Sequence, residues 1–513
     1  MKTPGLTLES PFLRRLMKHS VNRLNLGLLC EPLADALMDV VVSEPDLPIT
    51  GLTADSRAVR PGDLFVAASG TQVDGLDFVP QALAQGAVAV VASRAVELPP
   101  GVGFVGVPDV AAAKPLLADR FFGHPSGRLK VVGITGTNGK TTTAEILRSM
   151  LTMDGRDSGL VGTLGAWIGS THEPLSNTTP DAIELQRLLA RMVDANLSTA
   201  VLEVSSHALT LGRVGGVDFD VGVFTNLTQD HLDFHGSMKD YGLAKARLFE
   251  QLMPDAVAVL NADDEMSARY AERTLARVFT YGLDQPADVS ADLRRLDGDG
   301  SAFQLQVDER KILLPLSTRL VGRHNVSNAL AAAATALALD LPAAAIRTGL
   351  SSLAAVPGRL QSVDCGQDFR VLVDYAHTPD ALQQVLTQLR PLTRGRLRVV
   401  FGCGGDRDKS KRPLMGATVA DLADDLYVTS DNPRGEDPQC ILDDILAGLP
   451  AEALGRAVSL VDRRAAIAAA CSEASGGDIV VVAGKGHEVT QTIAGEQLDF
   501  DDRAVTREVL WTL

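Results

Sequence analysis

Short apolar runs that end in polar or glycine-rich turns alternate with stretches of helical spacing along most of the chain. Near the N-terminus, the runs Asp63–Ala68 and Ala87–Ala92 predict strands, and Val79–Gln85 and Ala111–Phe122 predict helices. Alternation of buried strands with amphipathic helices is typical of α/β folds. We therefore expect a first α/β domain over residues 1–110.

Two further α/β domains are expected downstream. Residues 111–355 alternate strands with helices, and residues 356–513 do the same after the turn at Val356–Gly358. The candidate strands are Val131–Ile134, Thr199–Val204, Val221–Thr225, Ala256–Leu260, Phe369–Val373, Leu397–Phe401, Asp425–Val428 and Asp478–Ala483. Each is a short apolar or β-branched run followed by polar residues, as buried parallel strands are. The predicted fold class is α/β with three domains, the third doubly wound.

The strand at Val131–Ile134 leads into the glycine-rich segment Gly136–Thr142 and then into helical spacing. Glycine N–H groups and a helix N-terminus attract phosphate oxygens, which predicts a site for a nucleotide triphosphate. Lys140 is expected to reach the outer phosphates, and Thr141 to place its hydroxyl on Mg²⁺. The spacing departs from the strict phosphate-loop pattern, because Ile134 stands where that pattern has its first glycine.

Composition narrows the classes of function. The 513 residues carry a net charge of −16 and are 45% hydrophobic, which fits a globular chain and disfavours generic binding to nucleic acid or anionic membranes. Five scattered cysteines without paired spacing predict reduced thiols. The basic residues Arg14, Arg15, Lys18 and Arg23 are not followed by the apolar stretch of a signal peptide. We expect a cytoplasmic protein with no membrane span and no nucleic-acid partner.

Polar clusters follow the strands of the central region. Glu203 ends one strand, and it is either a second Mg²⁺ ligand that faces Thr141 or a hydrogen-bonded loop residue. The segment Thr225–Gly236 holds two histidines, His231 among them, and two aspartates, which favours Mg²⁺ or Mn²⁺ over zinc. Lys245 lies in the pattern of an amphipathic helix, which predicts a solvated lysine unless burial lowers its pKa.

Three polar loops follow strands of the third region. They are Gly402–Arg412, Asp431–Arg434 and Gly484–Glu488. In a doubly wound sheet such loops point into one crevice. Arg407 and Arg434 suit carboxylates through paired hydrogen bonds, and Glu488 suits an ammonium group. The loops therefore predict a ligand that carries both amines and carboxylates.

Taken together, these motifs resemble those of the Mur ligases of peptidoglycan synthesis, which use ATP to form amide bonds. In family order they are Thr135–Thr141, Glu203–His207, Thr225–His231, His324–Asn328 and Asp374–Asp380. The resemblance runs from Asp55 to Glu488. It implies an N-terminal α/β uridine-nucleotide domain, a central parallel-sheet ATPase domain with the phosphate loop, and a C-terminal Rossmann-like domain that binds an amino acid.

Within the family, Asp55–Arg57, Gly62–Phe65 and Asp431–Arg434 are similar to members that add meso-2,6-diaminopimelate to the D-glutamyl carboxylate of UDP-N-acetylmuramoyl-L-alanyl-D-glutamate. This implies an ADP-forming ligase that uses ATP and Mg²⁺ and passes through an acyl phosphate. The implied pathway is cytoplasmic peptidoglycan precursor synthesis, and with it cell wall biogenesis, cell shape and cell division. Diaminopimelate has one more carboxylate than lysine, and Arg434 can bind it. A monomer is expected.

The resemblance also implies roles residue by residue. For ATP they are Gly136, Thr137, Asn138, Gly139, Lys140, Thr141 and Thr142, with Asn325, Arg359 and Asp374 on the nucleotide side. For the UDP-muramyl dipeptide they are Ser56, Thr71, Gln72, Val73, Asn177, Thr178, Thr179, Ser205 and Arg213. For diaminopimelate they are Arg407, Asp431, Asn432, Pro433, Arg434, Gly484 and Glu488. Leu211 departs from the pattern, because relatives can have glutamine there and leucine cannot form that hydrogen bond.

The implied catalytic residues are Lys140, His231 and Lys245. Lys245 matches the lysine that the family carbamylates, which turns it into a carboxylate-like Mg²⁺ ligand alongside Thr141, Glu203 and His231. Either His231 or the Lys245 carbamate is expected to take the proton of the attacking amine.

Three other functions are open. A folylpolyglutamate-synthase-like ligase shares the phosphate loop, but the uridine-type N-terminal segment and Asp431–Arg434 argue against it. An L-lysine-adding muramyl ligase would lack Arg434. A nucleotide-dependent switch or binding protein would not need Glu203, His231 and a diamino-acid pocket together.

Overall fold

The computed structural model describes residues 24–69, 73–307 and 311–513. The chain divides into two compact units. The first comprises the described part of Met1–Gly133 with Asp157–Asp220 and Gln251–Met253, and the second comprises Ile134–Arg156, Val221–Glu250 and the described part of Pro254–Leu513. None of the helices in the described ranges has the length and apolar character needed to span a bilayer.

The N-terminal sheet of the first unit has five strands. In spatial order they are Val41–Val42, Gly103–Gly106, Ala89–Ala92, Asp63–Val66 and Gly51–Thr53, and all but the first pair are parallel. The helices are Leu26–Ala36, Val79–Ala84 and Val110–Phe121, with short 3-10 turns at Ser56–Ala58 and Gly75–Phe78. Leu26, Leu64, Val91 and Leu117 belong to one buried cluster between helices and strands. The predicted strands and helices of this region are confirmed to within two residues.

The first unit also contains a second group of strands. Thr199–Glu203 pairs in parallel with Ser158–Gly162, which continues as an antiparallel meander. The meander strands are Gly165–Ile168 and Thr171–Glu173, and the helices are Ala182–Asp194 and Ser206–Thr210. The strand Lys130–Thr135 runs from the first unit into the second. The predicted strand at Thr199–Val204 is confirmed, whereas the meander was not predicted.

The second unit contains a first group of six strands, which are parallel at the start of the group and antiparallel at its end. The strands in order are Val221–Phe224, Val257–Asn261, Arg277–Gly282, Val289–Asp297, Gly300–Val307 and Ile312–Thr318. The last two junctions are antiparallel. The helices are Lys140–Met153, Leu232–His235, Met238–Glu250, Met266–Ala271, Arg323–Ala338 and Ala343–Ser352. The helix Arg323–Ala338 is rich in alanine, and its alanines from Ala329 to Ala334 are fully buried, which allows close backbone approach.

The C-terminal sheet of the second unit has six strands. Their order is Gln361–Ser362, Arg370–Asp374, Ile479–Ala483, Leu397–Phe401, Asp425–Thr429 and Ala457–Leu460, and all but the first pair are parallel. The helices are Pro379–Leu389, Lys411–Leu422, Pro438–Leu446, Ala451–Leu454, Arg463–Ser472 and Asp502–Thr512, and a hairpin joins Thr490–Ile493 to Glu496–Asp499. The predicted doubly wound arrangement is confirmed, and buried clusters lie on both faces of the sheet.

An ion cluster in the first unit gives a test of this fold. The two ring nitrogens of His124 lie 2.9 Å from Asp119 and 3.1 Å from Asp218, and these hydrogen bonds raise the pKa of His124 to about 10. A pKa raised by folding adds stability that is complete below the unfolded value of about 6.5 and is lost as pH rises through the folded value. We therefore expect His124→Asn, which tolerates the φ of +53° found there, to lower the free energy of unfolding at about pH 6 and to have little effect at about pH 10.5.

Urea titration of both proteins at the two pH values measures this difference. Because the His124 side chain is half exposed, the effect is expected to be modest. An equal loss at both pH values would show that the ion cluster does not stabilise the fold.

Candidate active site

The phosphate loop depends on two glycines. Gly136 has a φ of +149° and Gly139 a φ of +85°, which side chains rarely adopt. A Cβ on Gly136 would overlap the Thr225 hydroxyl, and one on Gly139 would overlap the side-chain oxygen of Asn328. Both positions therefore require glycine for backbone shape and for space.

The loop is held by the segment that follows the strand Val221–Phe224. The N–H of Thr137 donates to the Asn226 carbonyl over 2.8 Å, and the N–H of Asn138 donates to the Asn226 side-chain oxygen over 2.9 Å. The Thr225 hydroxyl donates to the Asn138 carbonyl over 2.6 Å. These bonds fix the shape of the loop.

The helix Lys140–Met153 starts directly after this loop. Its N-cap is Gly139, which has no side chain to accept hydrogen bonds from the first-turn N–H groups. Lys140 folds back, and its ammonium donates to the carbonyls of Gly136 and Thr137 over 2.8 Å each. Thr141 and Thr142 are buried in the first turn. An uncapped helix start with a lysine and hydroxyls beside it fits the phosphates of a nucleotide.

Lys245 is only 1% exposed. The prediction of a solvated lysine, which was based on the helix pattern, is therefore wrong. Its ammonium donates to the Gly136 carbonyl over 2.9 Å and lies 4.4 Å from the centre of the Tyr241 ring. Burial, followed by the nearby charge of Lys140, lowers the pKa of Lys245 well below its ordinary value. The helix Met238–Glu250 thus delivers an amine beside the phosphate loop that is easily deprotonated.

His231 follows Asp230 and has left-handed backbone, with a φ of +52°. Its ring lies at right angles to Tyr241, with the ring centres 6.2 Å apart. Burial is the main cause that lowers the pKa of His231, and the charges of Lys140 and Lys245 add to it. The ring is therefore neutral near pH 7, as a proton acceptor must be.

Glu203 is completely buried in the first unit. Its carboxylate accepts hydrogen bonds from the N–H and the hydroxyl of Thr163, each over 3.0 Å. The Thr163 hydroxyl lies 3.1 Å from that of Thr178. A buried carboxylate with these partners is compatible with both predicted roles, as a metal ligand or as a hydrogen-bonded residue.

Four residues predicted for the UDP-linked substrate come together next to Glu203, and Thr178 is one of them. The Thr179 hydroxyl donates to the Glu203 carbonyl over 2.8 Å, and the Ser205 N–H donates to that hydroxyl over 3.1 Å. The Arg213 guanidinium donates to the Thr179 carbonyl over 2.7 Å. The structure therefore groups Thr178, Thr179, Ser205 and Arg213.

The other residues predicted for this substrate have different settings or lie outside the described residues. The Ser56 hydroxyl is buried and donates to Gln81 over 2.8 Å. Val73, Asn177 and Leu211 are exposed. Thr71 and Gln72 lie outside the described residues.

The three loops of the C-terminal sheet meet as predicted. The Asn432 amide donates to Glu488 over 2.8 Å, which joins the second loop to the third. The Arg434 guanidinium donates to the Gly405 carbonyl over 2.8 Å, which joins the second loop to the first. Gly484 has a φ of +117°, and a Cβ there would lie 2.7 Å from the Asp431 carboxylate.

The two arginines of these loops differ in their settings. Arg434 is partly buried with left-handed backbone, and its N–H donates to the Thr492 carbonyl of the C-terminal hairpin over 2.9 Å. Arg407 is exposed and contacts the Asp406 carbonyl. Arg434 is thus the preoriented cation of the pair.

The residues predicted for the nucleotide side are held in different ways. Arg359 lies 4.7 Å from the centre of the Tyr375 ring and 3.4 Å from the Thr141 hydroxyl, which brings it to the phosphate loop. Asp374 accepts from the N–H groups of Leu360 and Ala376. The Asn325 amide donates to the Val321 carbonyl. The side chains of Asp374 and Asn325 therefore both hold the local backbone in place.

Several residues of the site were not predicted. Thr163 holds Glu203, and Lys485 contacts Glu488 and Asn432. The buried pair of Arg463 and Asp502 reaches the ends of two strands that lead into the loops. Lys485 stood within the glycine-rich segment Gly484–Glu488, which was its only signal.

In the ranges that the structure describes, no three or more His, Cys, Asp and Glu side chains are grouped so that they could hold a metal ion. The predicted ligand set of Thr141, Glu203, His231 and Lys245 is of a different kind, because it includes a hydroxyl and an amine besides a carboxylate and an imidazole. The Mg²⁺ ligands therefore stay predictions.

Three family descriptions match the chain in order. Residues 48–119 match "Mur ligase family, catalytic domain", 134–336 match "Mur ligase middle domain", and 358–486 match "Mur ligase, glutamate ligase domain". The predicted boundaries near residues 110 and 355 stay predictions.

Known proteins and structures resemble most of the chain. A UDP-N-acetylmuramoyl-L-alanyl-D-glutamate–2,6-diaminopimelate ligase from Geobacillus thermodenitrificans is 47% identical over 90% of this chain and 94% of its own. A solved structure of a ligase with the same name has a TM-score of 0.69 at 34% identity and covers 96% of this chain and 99% of its own. FolC from E. coli, solved with DHPP and ADP, has a TM-score of 0.55 at 25% identity and covers 71% of this chain and 88% of its own.

A phosphate loop on a mixed sheet, followed by a Rossmann-like domain, together with relatives named as ligases, identifies an ATP-dependent ligase of amino acids. Its architecture has N-terminal, middle and C-terminal domains. The chain belongs to the Mur ligase family.

Gly136→Ala tests the geometry of the phosphate loop. We expect this variant to bind ADP at least about tenfold more weakly in calorimetry, because its methyl group collides with Thr225 and displaces the loop. Gly155→Ala is the matched control, since Gly155 has a φ of +74° but a Cβ there meets nothing within 4 Å.

Gly155→Ala should lose about 1–2 kcal/mol of stability from left-handed strain, and Gly136→Ala should lose more, because its methyl group also overlaps the Thr225 hydroxyl. Only Gly136→Ala should lose nucleotide affinity. Equal ADP affinity in the two variants would contradict the role assigned to the loop.

Proposed function

We propose that the chain joins meso-2,6-diaminopimelate to the D-glutamyl carboxylate of UDP-N-acetylmuramoyl-L-alanyl-D-glutamate, with ATP converted to ADP and phosphate. The observation that carries this proposal is the junction of three loops, where Arg434 lies against Gly405 and Glu488 against Asn432. The junction offers a cation to a carboxylate and a carboxylate to an ammonium group, as a diamino diacid requires. The names of the relatives support the same substrates.

The reaction has two steps. A carboxylate oxygen of the D-glutamyl residue attacks the γ-phosphorus of ATP, which forms an acyl phosphate and releases ADP. The amine of diaminopimelate then attacks the acyl carbon, phosphate leaves, and the nitrogen loses a proton. Lys140 stabilises the charge on the transferring phosphoryl group. His231 is the proposed acceptor of the proton at a ring nitrogen, and the Lys245 carbamate is the alternative base.

Lys245 is proposed to be carbamylated. Its lowered pKa favours the neutral amine, and a neutral amine adds carbon dioxide to give a carbamate and a proton. The carbamate and the Thr141 hydroxyl would supply oxygen ligands that suit Mg²⁺. When bound, Mg²⁺ neutralises charge on the phosphates.

The proposed setting is the cytoplasm, in the synthesis of peptidoglycan precursors. Both proposed substrates are small, charged and water-soluble, which fits a chain whose described helices are not long and apolar enough to span a bilayer. The pathway follows from the substrates and would link the enzyme to cell wall biogenesis and cell division.

A substrate panel tests the function. With ATP and the UDP-linked dipeptide, we expect ADP release with meso-diaminopimelate and little with L-lysine, because lysine leaves Arg434 without a carboxylate. Arg434→Met should lower kcat/KM for diaminopimelate about a hundredfold, as expected for loss of a charge-assisted hydrogen-bond pair. Arg464→Met is the control, since Arg464 is half exposed and paired with Glu508.

The other outcomes of the panel each identify a rival. Preference for L-lysine would make the chain a lysine-adding muramyl ligase. Turnover of a folate with glutamate would favour the folylpolyglutamate-type ligase. No ADP release with any complete substrate set would indicate a nucleotide-dependent switch.

Lys245→Ala tests the carbamate. We expect activity to fall by at least about a hundredfold and to recover in part with acetate or another short carboxylate, which replaces the missing ligand. Lys239→Ala is the matched control, because Lys239 lies on the same helix and is exposed. Full activity of Lys245→Ala without added carboxylate would refute the carbamate.

A further inference from the structure

Lys485 is a completely buried lysine in the loop that carries Glu488. We propose that Lys485 is a positioning residue, which orients Glu488 and Asn432 toward the ammonium group of the amino-acid substrate. This inference rests on the proposed function, because it assigns Glu488 to that substrate. Since Lys485 is inaccessible to solvent, it acts through its neighbours.

The ammonium of Lys485 is fully satisfied by three acceptors. It donates to the Glu488 carboxylate over 2.9 Å, to the Asn432 side-chain oxygen over 3.2 Å and to the Thr490 carbonyl over 2.7 Å. An ammonium group has three N–H donors, so each has a partner. Lys485 thereby joins its own loop to the Asp431–Arg434 loop and to the start of the C-terminal hairpin.

These bonds set which way the Asn432 amide faces. Its oxygen accepts from Lys485 and also from the N–H of Thr492 over 3.0 Å. Its nitrogen then faces the opposite way and donates to Glu488 over 2.8 Å. Two donors on one side and one acceptor on the other leave a single orientation for the amide.

The same bonds leave one oxygen of Glu488 for a ligand. Lys485 and Asn432 both donate to Oε2, whereas neither of these bonds involves Oε1. The Glu488 side chain is one-third exposed. An incoming ammonium group can therefore bind Oε1 without displacing any bond of Lys485 or Asn432.

Removal of the lysine charge would release this arrangement. Glu488 would keep only the Asn432 bond, and its carboxylate could turn away from the substrate. Because binding of the amino acid depends on that orientation, the loss should appear in the KM for diaminopimelate. The KM values for ATP and for the UDP-linked dipeptide depend on other residues.

The test compares full-length Lys485→Met with the unmodified enzyme in an ADP-release assay. We expect the KM for meso-diaminopimelate to rise at least about tenfold, and the KM for ATP and for the UDP-linked dipeptide to change less than about twofold. The exposed Lys311 supplies the control Lys311→Met, which should leave all three values unchanged. Asn432→Ser keeps the buried charge and should raise the KM for diaminopimelate by a smaller factor. This variant provides the test if Lys485→Met does not fold.

A double variant separates positioning from general structural support. If Lys485 acts through Glu488, then adding Lys485→Met to Glu488→Gln raises the KM for diaminopimelate no further than Glu488→Gln alone. Multiplied effects, or equal rises in all three KM values, would overturn the positioning role. Unchanged KM values in Lys485→Met would overturn this inference alone. Absence of diaminopimelate-dependent ADP release in the unmodified enzyme would overturn the proposed function, and this inference with it.

Discussion

The buried ion pair of Arg463 and Asp502 is the interaction on which the positions of the loops Asp431–Arg434 and Gly484–Glu488 depend. Both side chains are fully buried, and two parallel hydrogen bonds of 2.7 Å join the guanidinium to the carboxylate. The same guanidinium donates to the carbonyls of Ser430 and Ala483, the residues directly before the Asp431–Arg434 and Gly484–Glu488 loops. One cation thus ties two helices to the ends of two strands. Removal of one partner from such a pair costs about 3–5 kcal/mol, and here it would also release both loops.

Much of the fold followed from the sequence because parallel strands are buried on both faces. Leu397–Phe401 and Ile479–Ala483 are continuous apolar runs, and the structure has strands at these positions. The antiparallel strands Gly300–Val307 and Ile312–Thr318 were missed for the opposite reason. They mix polar with apolar positions, and Pro315 interrupts the second, so their stability comes from pairing with each other. Pairing between strands is a tertiary property that a single-segment pattern does not encode.

The candidate site likewise has a part that could be predicted from the sequence and a part that could not. Glycines, lysine and hydroxyls at Gly136–Thr142 are adjacent in sequence, so their chemistry could be predicted. The partners that shape that loop, Thr225 and Asn226, lie almost ninety residues away along the chain. Lys245 illustrates the limit most clearly: helical spacing places a polar residue there, but burial against Tyr241 decides its charge state. Only the resemblance to a family, and not the pattern, anticipated that outcome.

The two asparagines of these loops differ in chemical durability. Asn138 is followed by Gly139, and a glycine N–H readily attacks the side-chain amide of the preceding asparagine, with loss of ammonia. Hydrogen bonds from the Asn138 amide to Thr228 and Gln384 restrain that attack. Asn432 is followed by Pro433, whose nitrogen carries no hydrogen, so the same route is closed. Of these two loops, only the phosphate loop is open to deamidation by this route, and a new carboxylate there would repel phosphate, whereas the Asp431–Arg434 loop resists this form of ageing.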